Sequence, residues 1–268
     1  SFTTQLAAPV LLFSAMYSLD VGEVFDPRLL ISFYAGAIGC FGLGVWGARR
    51  LFGASPGESV AIGFAALFSN SLLLGVPIMQ RAYGDAALGP NFAIISIHAP
   101  LCYLIGITAM EMSRADGRGG MATARATVRA MFRNALTIGI AIGLAFNFSG
   151  IRLPAPVESG VDMIARAALP VALFALGGAL TRYRLREGIG PAVMIAGLGL
   201  AIHPLIAFGL SAYVFDLPDG MVRSATVTAS MPPGVNAYVF AAMYMRAVGA
   251  AASSVLLATA LSVFGVSF

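Results

Sequence analysis

Two stretches of this sequence decide its fold: SNSLLLGVPIM runs from Ser69 to Met79, and SMPPGVNAYVF runs from Ser230 to Phe240. Each places glycine and proline in the middle of a long apolar segment that otherwise favours a helix. Proline removes a backbone donor and clashes with the preceding turn, so a helix tends to open where it occurs. The residues expected to break the two segments are Gly75 and Pro77 in the first stretch and Pro232, Pro233 and Gly234 in the second.

The composition indicates what surrounds these breaks. Of the 268 residues, 59% are hydrophobic and only 10% are charged, whereas a soluble domain carries about 25% charged residues. The mean hydropathy of +0.87 agrees, and we predict an all-α polytopic protein in a lipid bilayer. A spanning helix needs about 20 apolar residues. Polar breaks delimit segments at 3–19, 29–48, 58–84, 88–112, 130–149, 157–181, 188–215, 221–245 and 248–267.

The placement of arginine predicts the orientation. All 16 basic residues are arginine, and most of them collect in alternate loops, which the positive-inside rule assigns to the cytoplasm. The C-terminus is therefore predicted to lie outside. The Gly-rich stretch 113–129 is predicted to be a cytoplasmic linker. The arginines form no basic face with interleaved aromatic residues, which argues against nucleic acid as a partner.

An inverted repeat is indicated on the two sides of this linker. LAAPVLLFSAMYSL from Leu6 to Leu19 resembles AALPVALFALGGAL from Ala167 to Leu180 at a constant offset of 161 residues. The orientation above makes the first copy run outward and the second inward. We therefore expect one repeat over 1–112 (helices 2–5 of the full fold) and a second over 130–268 (helices 6–10). An inverted repeat needs an odd number of helices in each half, and four segments precede the linker whereas five follow it. The first helix of the fold is therefore expected to be missing.

Two broken segments at matching positions of an inverted repeat are a sequence signature of a transporter's midplane binding site. The simpler alternative is a pair of kinked helices that only pack. In addition, RNALTIGIAIGLAFNFSG from Arg133 to Gly150, FSNSLLLGVPIMQRAYG from Phe68 to Gly84 and MPPGVNAYVFAAMY from Met231 to Tyr244 resemble the auxin efflux carrier family. This resemblance implies crossed fourth and ninth helices, and usually a homodimer.

The resemblance also suggests site residues. Asn70 and Pro77 match the asparagine and proline of the family's first crossing, and His98 and Tyr103 lie where a glutamine and a tyrosine face the substrate. In the second crossing Ala237 replaces the expected proline, with Asn236 beside it. The helix over 30–47 lacks an aspartate and a lysine found in plant exporters. These departures favour the bacterial carriers of malonate and similar organic acids, and so imply a location in a bacterial inner membrane.

The predicted substrate is a small organic anion, malonate or a similar short dicarboxylate. With no lysine in the chain, its charge must be met by helix N-termini and neutral donors. The substrate-binding candidates are Asn70, Ser71, His98, Tyr103 and Asn236. Asn70, Ser71 and Asn236 could instead cap the broken helices, and His98 could make a structural hydrogen bond.

His98 is also the candidate for proton coupling, because an unperturbed imidazole titrates near physiological pH. A sodium site is less expected, since no carboxylate lies near either break. The sequence contains no metal-ligand cluster and no catalytic motif, so we expect no metal, no cofactor and no enzyme activity. An auxin-like efflux carrier and a non-transporting ligand sensor on the same fold remain the alternatives.

Overall fold

The computed structural model describes residues 3–19, 25–113, 135–180 and 188–266. The regular structure of these residues is helical, and the prediction of an all-α fold is confirmed. The helices are α1 (Ala8–Ser18), α2 (Pro27–Phe52), α3 (Pro56–Leu67), α4 (Val76–Tyr83), α5 (Gly89–Ser113), α6 (Ala135–Ser149), α7 (Ala155–Leu180), α8 (Ile189–Val214), α9 (Asp219–Ala229), α10 (Val235–Tyr244) and α11 (Val248–Val266).

Three of these helices, α2, α5 and α8, are long and apolar enough to cross a bilayer unbroken. Their ends carry ordinary helix signals. Asp26 caps α2 by accepting a 2.7 Å hydrogen bond from the amide of Arg28, and Pro27 occupies the first turn. The Arg28 side chain also donates to Asp26, which lowers the pKa of that carboxyl. Gly53 ends the helix in the left-handed conformation, at a φ of 64°, where glycine has no Cβ penalty.

The first predicted break occurs earlier than the sequence indicates. The chain leaves the helix after Leu67 and resumes at Ser71 with a π-helical segment, Ser71–Gly75, that leads into α4. Gly75 and Pro77 therefore lie in helical backbone. Pro77 is accommodated because it stands in the first turn of α4, where a missing amide hydrogen is tolerated. The wider π turn ahead of it lets the Val76 amide reach back to the Ser71 carbonyl.

The second break coincides with the residues that predict it. Helix α9 ends at Ala229, and α10 begins at Val235 with Gly234 as its N-cap residue. Pro232 and Pro233 lie in the non-helical stretch between the two helices. Two consecutive prolines withhold two backbone donors, so this stretch cannot continue α9.

The helices form two packed groups. The small group consists of α1 with α6 and α7, which both pack along it. Close approach within it depends on glycine, because a Cβ added to Gly143 would lie 2.6 Å from the carbonyl oxygen of Phe13. A Cβ added to Gly139 would likewise lie too close to the Pro9 carbonyl oxygen. Gly178, a third glycine of this group, faces open space.

The large group consists of α2, α3, α5 and α8–α11. Helix α4 lies between the two groups, because its buried residues share a core with residues of α1, α5 and α6. One apolar core, which includes Phe33, Phe64, Ile94 and Phe240, joins α2, α3, α5 and α8–α10. A second core around Cys40, Ile195 and Val255 attaches α11 to α2 and α8. Most of the predicted linker 113–129, its arginines and Arg182, Arg184 and Arg186 lie outside the described residues.

Candidate functional site

The two helix breaks cross and are joined by backbone hydrogen bonds. The amide of Asn70 donates to the carbonyl of Pro232 at 2.8 Å, and the amide of Gly234 donates to the carbonyl of Phe68 at 3.0 Å. Ser69 and Pro233 form the antiparallel bridge between these two bonds. Each break thus satisfies part of the backbone that the other leaves unpaired, as buried polar groups require.

Two helices begin at this crossing. The segment that starts at Ser71 and continues through α4 points its first amides at the crossing, and α10 does the same from Val235. The first amides of a helix have no carbonyl in a preceding turn to bind. Each N-terminus carries a partial positive charge of about half an elementary charge. The crossing therefore has the electrostatics of an anion site although it contains no basic side chain.

A cavity of about 260 Å³ lies against the crossing. Its polar side chains come from the two breaks and α5, whereas α1 and α6 contribute apolar residues. No charged side chain appears among the described residues that line it. The lining residues are Ala8, Leu12, Phe68, Ser69, Asn70, Ser71, Leu72, Leu73, Ile95, His98, Ala99, Ile140, Gly234, Val235, Asn236 and Val239.

Asn70 is the most distinctive polar residue of this cavity. Its side chain is only 6% exposed, and within the described part of the chain its Nδ2 has no hydrogen-bond partner. The side chain does not cap the helix that follows. The hydroxyl of the neighbouring Ser69 is likewise buried and unpaired there. A buried donor without a partner costs about 1–3 kcal/mol, so these groups indicate a place for a polar ligand.

Ser71 and Asn236 occupy equivalent places at the two helix starts. Ser71 is buried and is the first residue of the π-helical segment, while Asn236 is half-buried in the first turn of α10. Both line the cavity. The structure therefore brings four sequence candidates, Asn70, Ser71, His98 and Asn236, to one cavity.

His98 forms the part of the wall that comes from α5. It is 2% exposed, and its ring lies 4.8 Å from the ring of Phe68 and 5.6 Å from that of Phe33, measured between centroids. Its ring nitrogens are 3.7 and 3.9 Å from the Cys102 sulfur. The imidazole also interacts with the backbone of Ser69. His98 thus connects α5 to the first break and borders the cavity at the same point.

Tyr103 lies apart from the other candidates. Its ring packs 5.6 Å from that of Phe64 and 5.9 Å from that of Phe68, and it is not among the cavity-lining residues. Five residues separate it from His98, about one and a half helical turns, so the two side chains leave α5 in different directions. Tyr103 contacts the cavity only indirectly, through Phe68.

The second histidine has a structural role. His203 is buried, and its Nε2 lies 3.0 Å from the carbonyl oxygen of Phe33. A carbonyl can only accept, so Nε2 carries the proton and Nδ1 does not. This bond joins α8 to α2 within the large group.

Sequence reasoning missed Ser69 and the apolar wall. Ser69 precedes Asn70 and differs from other membrane serines only in standing at the break itself. Ala8, Leu12 and Ile140 face the crossing from the small helix group. Apolar residues of membrane helices look alike whether they face lipid, protein or a cavity, so the sequence gives no signal for them. Among the described residues, no group of three His, Cys, Asp or Glu could hold a metal ion.

Comparison with known proteins adds a family. A sequence model of a family described as "Membrane transport protein" matches residues 1–268. An "Uncharacterized transporter" of Methanothermobacter thermautotrophicus is 28% identical over 262 residues, which cover 96% of this chain and 82% of the relative. A "Putative malonate transporter" of Rhizobium meliloti is 23% identical over 267 residues, which cover 98% of this chain and 82% of the relative.

Proposed function

Because the chain belongs to the membrane transport protein family, that of the auxin efflux carriers, we propose that it carries a small organic anion by alternating access at the crossing. The observation that supports this most directly is the pairing of Asn70 with two helix starts. The buried side-chain nitrogen of Asn70, Nδ2, has no partner in the described part of the chain, and Asn70 lines a cavity together with Ser71 and Val235, the first residues of the two helical segments. A carboxylate would satisfy all of these donors.

The proposed substrate is malonate or a similar short dicarboxylic acid. The name of the Rhizobium relative supports this choice, at 23% identity. The cavity volume of about 260 Å³ accommodates such an acid and lies below the range of about 300–1,000 Å³ that is usual for drug-sized ligands.

The packing suggests how access could alternate. The cavity lies between the small group, which contributes Ala8, Leu12 and Ile140, and the large group, which contributes both breaks. The side chains of the small-group wall are apolar, so this face can slide without breaking side-chain hydrogen bonds. We propose that movement of the large group against the small one exposes the site to each side in turn. A bacterial inner-membrane location, an outside C-terminus and a homodimer remain predictions.

The experiment is uptake by the full chain in proteoliposomes. Radiolabelled malonate, malate, succinate and indole-3-acetate are offered with imposed proton or sodium gradients. We expect saturable malonate uptake that unlabelled malonate inside the vesicles accelerates, because a carrier exchanges substrate and a channel does not. Binding of malonate without uptake would instead indicate a sensor. Preference for indole-3-acetate would contradict the proposed substrate and leave the carrier function standing.

A further inference from the structure

The lining of the cavity limits the charge that a bound acid can carry. Resting on the proposed function, we infer that the crossing binds its substrate as a single anion. A short dicarboxylic acid then enters with one carboxylate ionised and the other carboxyl group protonated. The proton that accompanies transport is carried by the substrate and not by the imidazole of His98.

The first argument is the positive potential that is available. Two helix N-termini meet at the crossing, and each offsets about half an elementary charge. Together they match one carboxylate. No charged side chain appears among the described residues that line the cavity. A second carboxylate would be a buried charge without a partner, which is far more costly than a buried neutral group.

The second argument is the asymmetry of the cavity. The polar side chains of its lining come from the two breaks and α5, and Asn70 and Asn236 lie beside the helix starts. Helices α1 and α6 contribute the buried, apolar Leu12 and Ile140. A carboxylate held against these two residues would lose its hydration without replacement. The end of a bound three-carbon acid that the helix starts do not hold is therefore expected to be neutral.

The third argument is a partner for the retained proton. A neutral imidazole has one acceptor nitrogen, and His98 borders the cavity. The titratable groups packed around it are Tyr34 on α2, Cys102 on α5 and, beyond Phe33, His203 on α8. None of these is an acid that would stabilise an imidazolium. A protonated carboxyl group can donate to His98 while the ring stays neutral.

The test compares malonate with monomethyl malonate, whose ester fixes it as a single anion. The apolar wall can accept the added methyl group. Uptake by the full chain is measured in proteoliposomes between about pH 5 and pH 8, for wild type and for His98→Gln, with protein-free liposomes as the leak control. For malonate we expect KM to rise about tenfold per pH unit above the second pKa of the acid. For the ester we expect a constant KM.

The outcomes separate the inference from the function on which it depends. A pH-dependent KM for malonate and a flat one for the ester support the inference, and the same malonate slope in His98→Gln shows that the proton is the substrate's. A flat KM for malonate would mean that the dianion binds, and it would overturn the inference. An equal rise of KM with pH for malonate and for the ester would also overturn the inference. If His98→Gln abolished that rise, the proton would belong to the imidazole of His98. Transport of neither acid would instead refute the proposed substrate, on which the inference rests. If His98→Gln does not fold, the comparison of the two KM profiles in the wild type still tests whether the substrate binds as a single anion.

Discussion

The two broken helices cross at one point, but they differ in what they contribute there. The first break contains two buried polar atoms, the Ser69 hydroxyl oxygen and Asn70 Nδ2, with no hydrogen-bond partner in the described part of the chain. The second contains prolines and a glycine, and its polar residue, Asn236, is only half-buried. The difference suggests a division of roles, in which the first break supplies side-chain donors and the second supplies backbone geometry.

A negative charge at each break should give the largest contrast. Asn70→Asp would put a carboxylate about 4 Å from the substrate anion, where two like charges repel by about 4 kcal/mol at an effective dielectric constant near 20. We expect malonate uptake at pH 7.5 to fall on the order of 1,000-fold. For Asn236→Asp we expect malonate uptake to fall about tenfold less than for Asn70→Asp. Asn236 is only half-buried, so water screens the added charge. Equal losses in the two variants would remove the distinction between the breaks.

Truncation tests the same contrast without adding charge. Asn70→Ala removes a buried donor to a charged group and should weaken malonate binding by about 1–3 kcal/mol, or about 5–150-fold. Asn236→Ala should cost about 1 kcal/mol or less, since water can replace a half-buried donor. Equilibrium binding of radiolabelled malonate to purified protein measures both. Gln80→Ala is the matched control, because that exposed amide donates to Asp85 outside the cavity. A greater loss in Asn236→Ala than in Asn70→Ala would reverse the assignment.

The backbone role of the second break can be tested at Gly234. Its φ of −77° is compatible with proline, but Gly234→Pro deletes the amide that donates to the Phe68 carbonyl and places the ring Cδ against that oxygen. The lost bond and this contact should together lower the free energy of unfolding by at least about 1–3 kcal/mol. Thermal unfolding of detergent-solubilised protein, monitored by intrinsic fluorescence, reports this loss. An unchanged Tm would show that the bond between the breaks contributes nothing to stability.

The smallest expected effect comes from Gly234→Ala. An added Cβ would lie 3.5 Å from Phe68 Cδ1 and 3.6 Å from Asn70 Cα, which is ordinary contact, and the amide would remain. We expect the free energy of unfolding to change by less than about 0.5 kcal/mol, with malonate uptake intact. A large loss in this variant would mean that the crossing needs glycine itself rather than its amide.

The helical fold was predictable because a membrane helix is signalled by every residue along it. The segments expected at 29–48, 88–112 and 188–215 appear as α2, α5 and α8 with ends shifted by a few residues. The first break lies several residues before Pro77 and not at it, because a proline can stand in the first turn of a helix as readily as it can interrupt one. The sequence alone does not distinguish these two uses.

The candidate site was predictable only where polarity is rare. Asn70, Ser71, His98 and Asn236 stand out in apolar segments, and all four line the cavity. Tyr103 does not, because an aromatic residue packs equally well in a core of other rings. Leu12 and Ile140 are recognisable only in three dimensions, since their contact with the cavity depends on how α1 and α6 pack against the large group.

The central claim is that the substrate occupies the cavity at the crossing, and cysteine protection tests it most directly. Val239 lines the cavity and is 38% exposed, and the two native cysteines, Cys40 and Cys102, are fully buried. In Val239→Cys, malonate should slow labelling by a charged methanethiosulfonate reagent in proportion to its occupancy. Gln80→Cys, outside the cavity, should label at the same rate with and without malonate. Saturating malonate that leaves the labelling rate of Val239→Cys unchanged would contradict the placement of the substrate at the crossing.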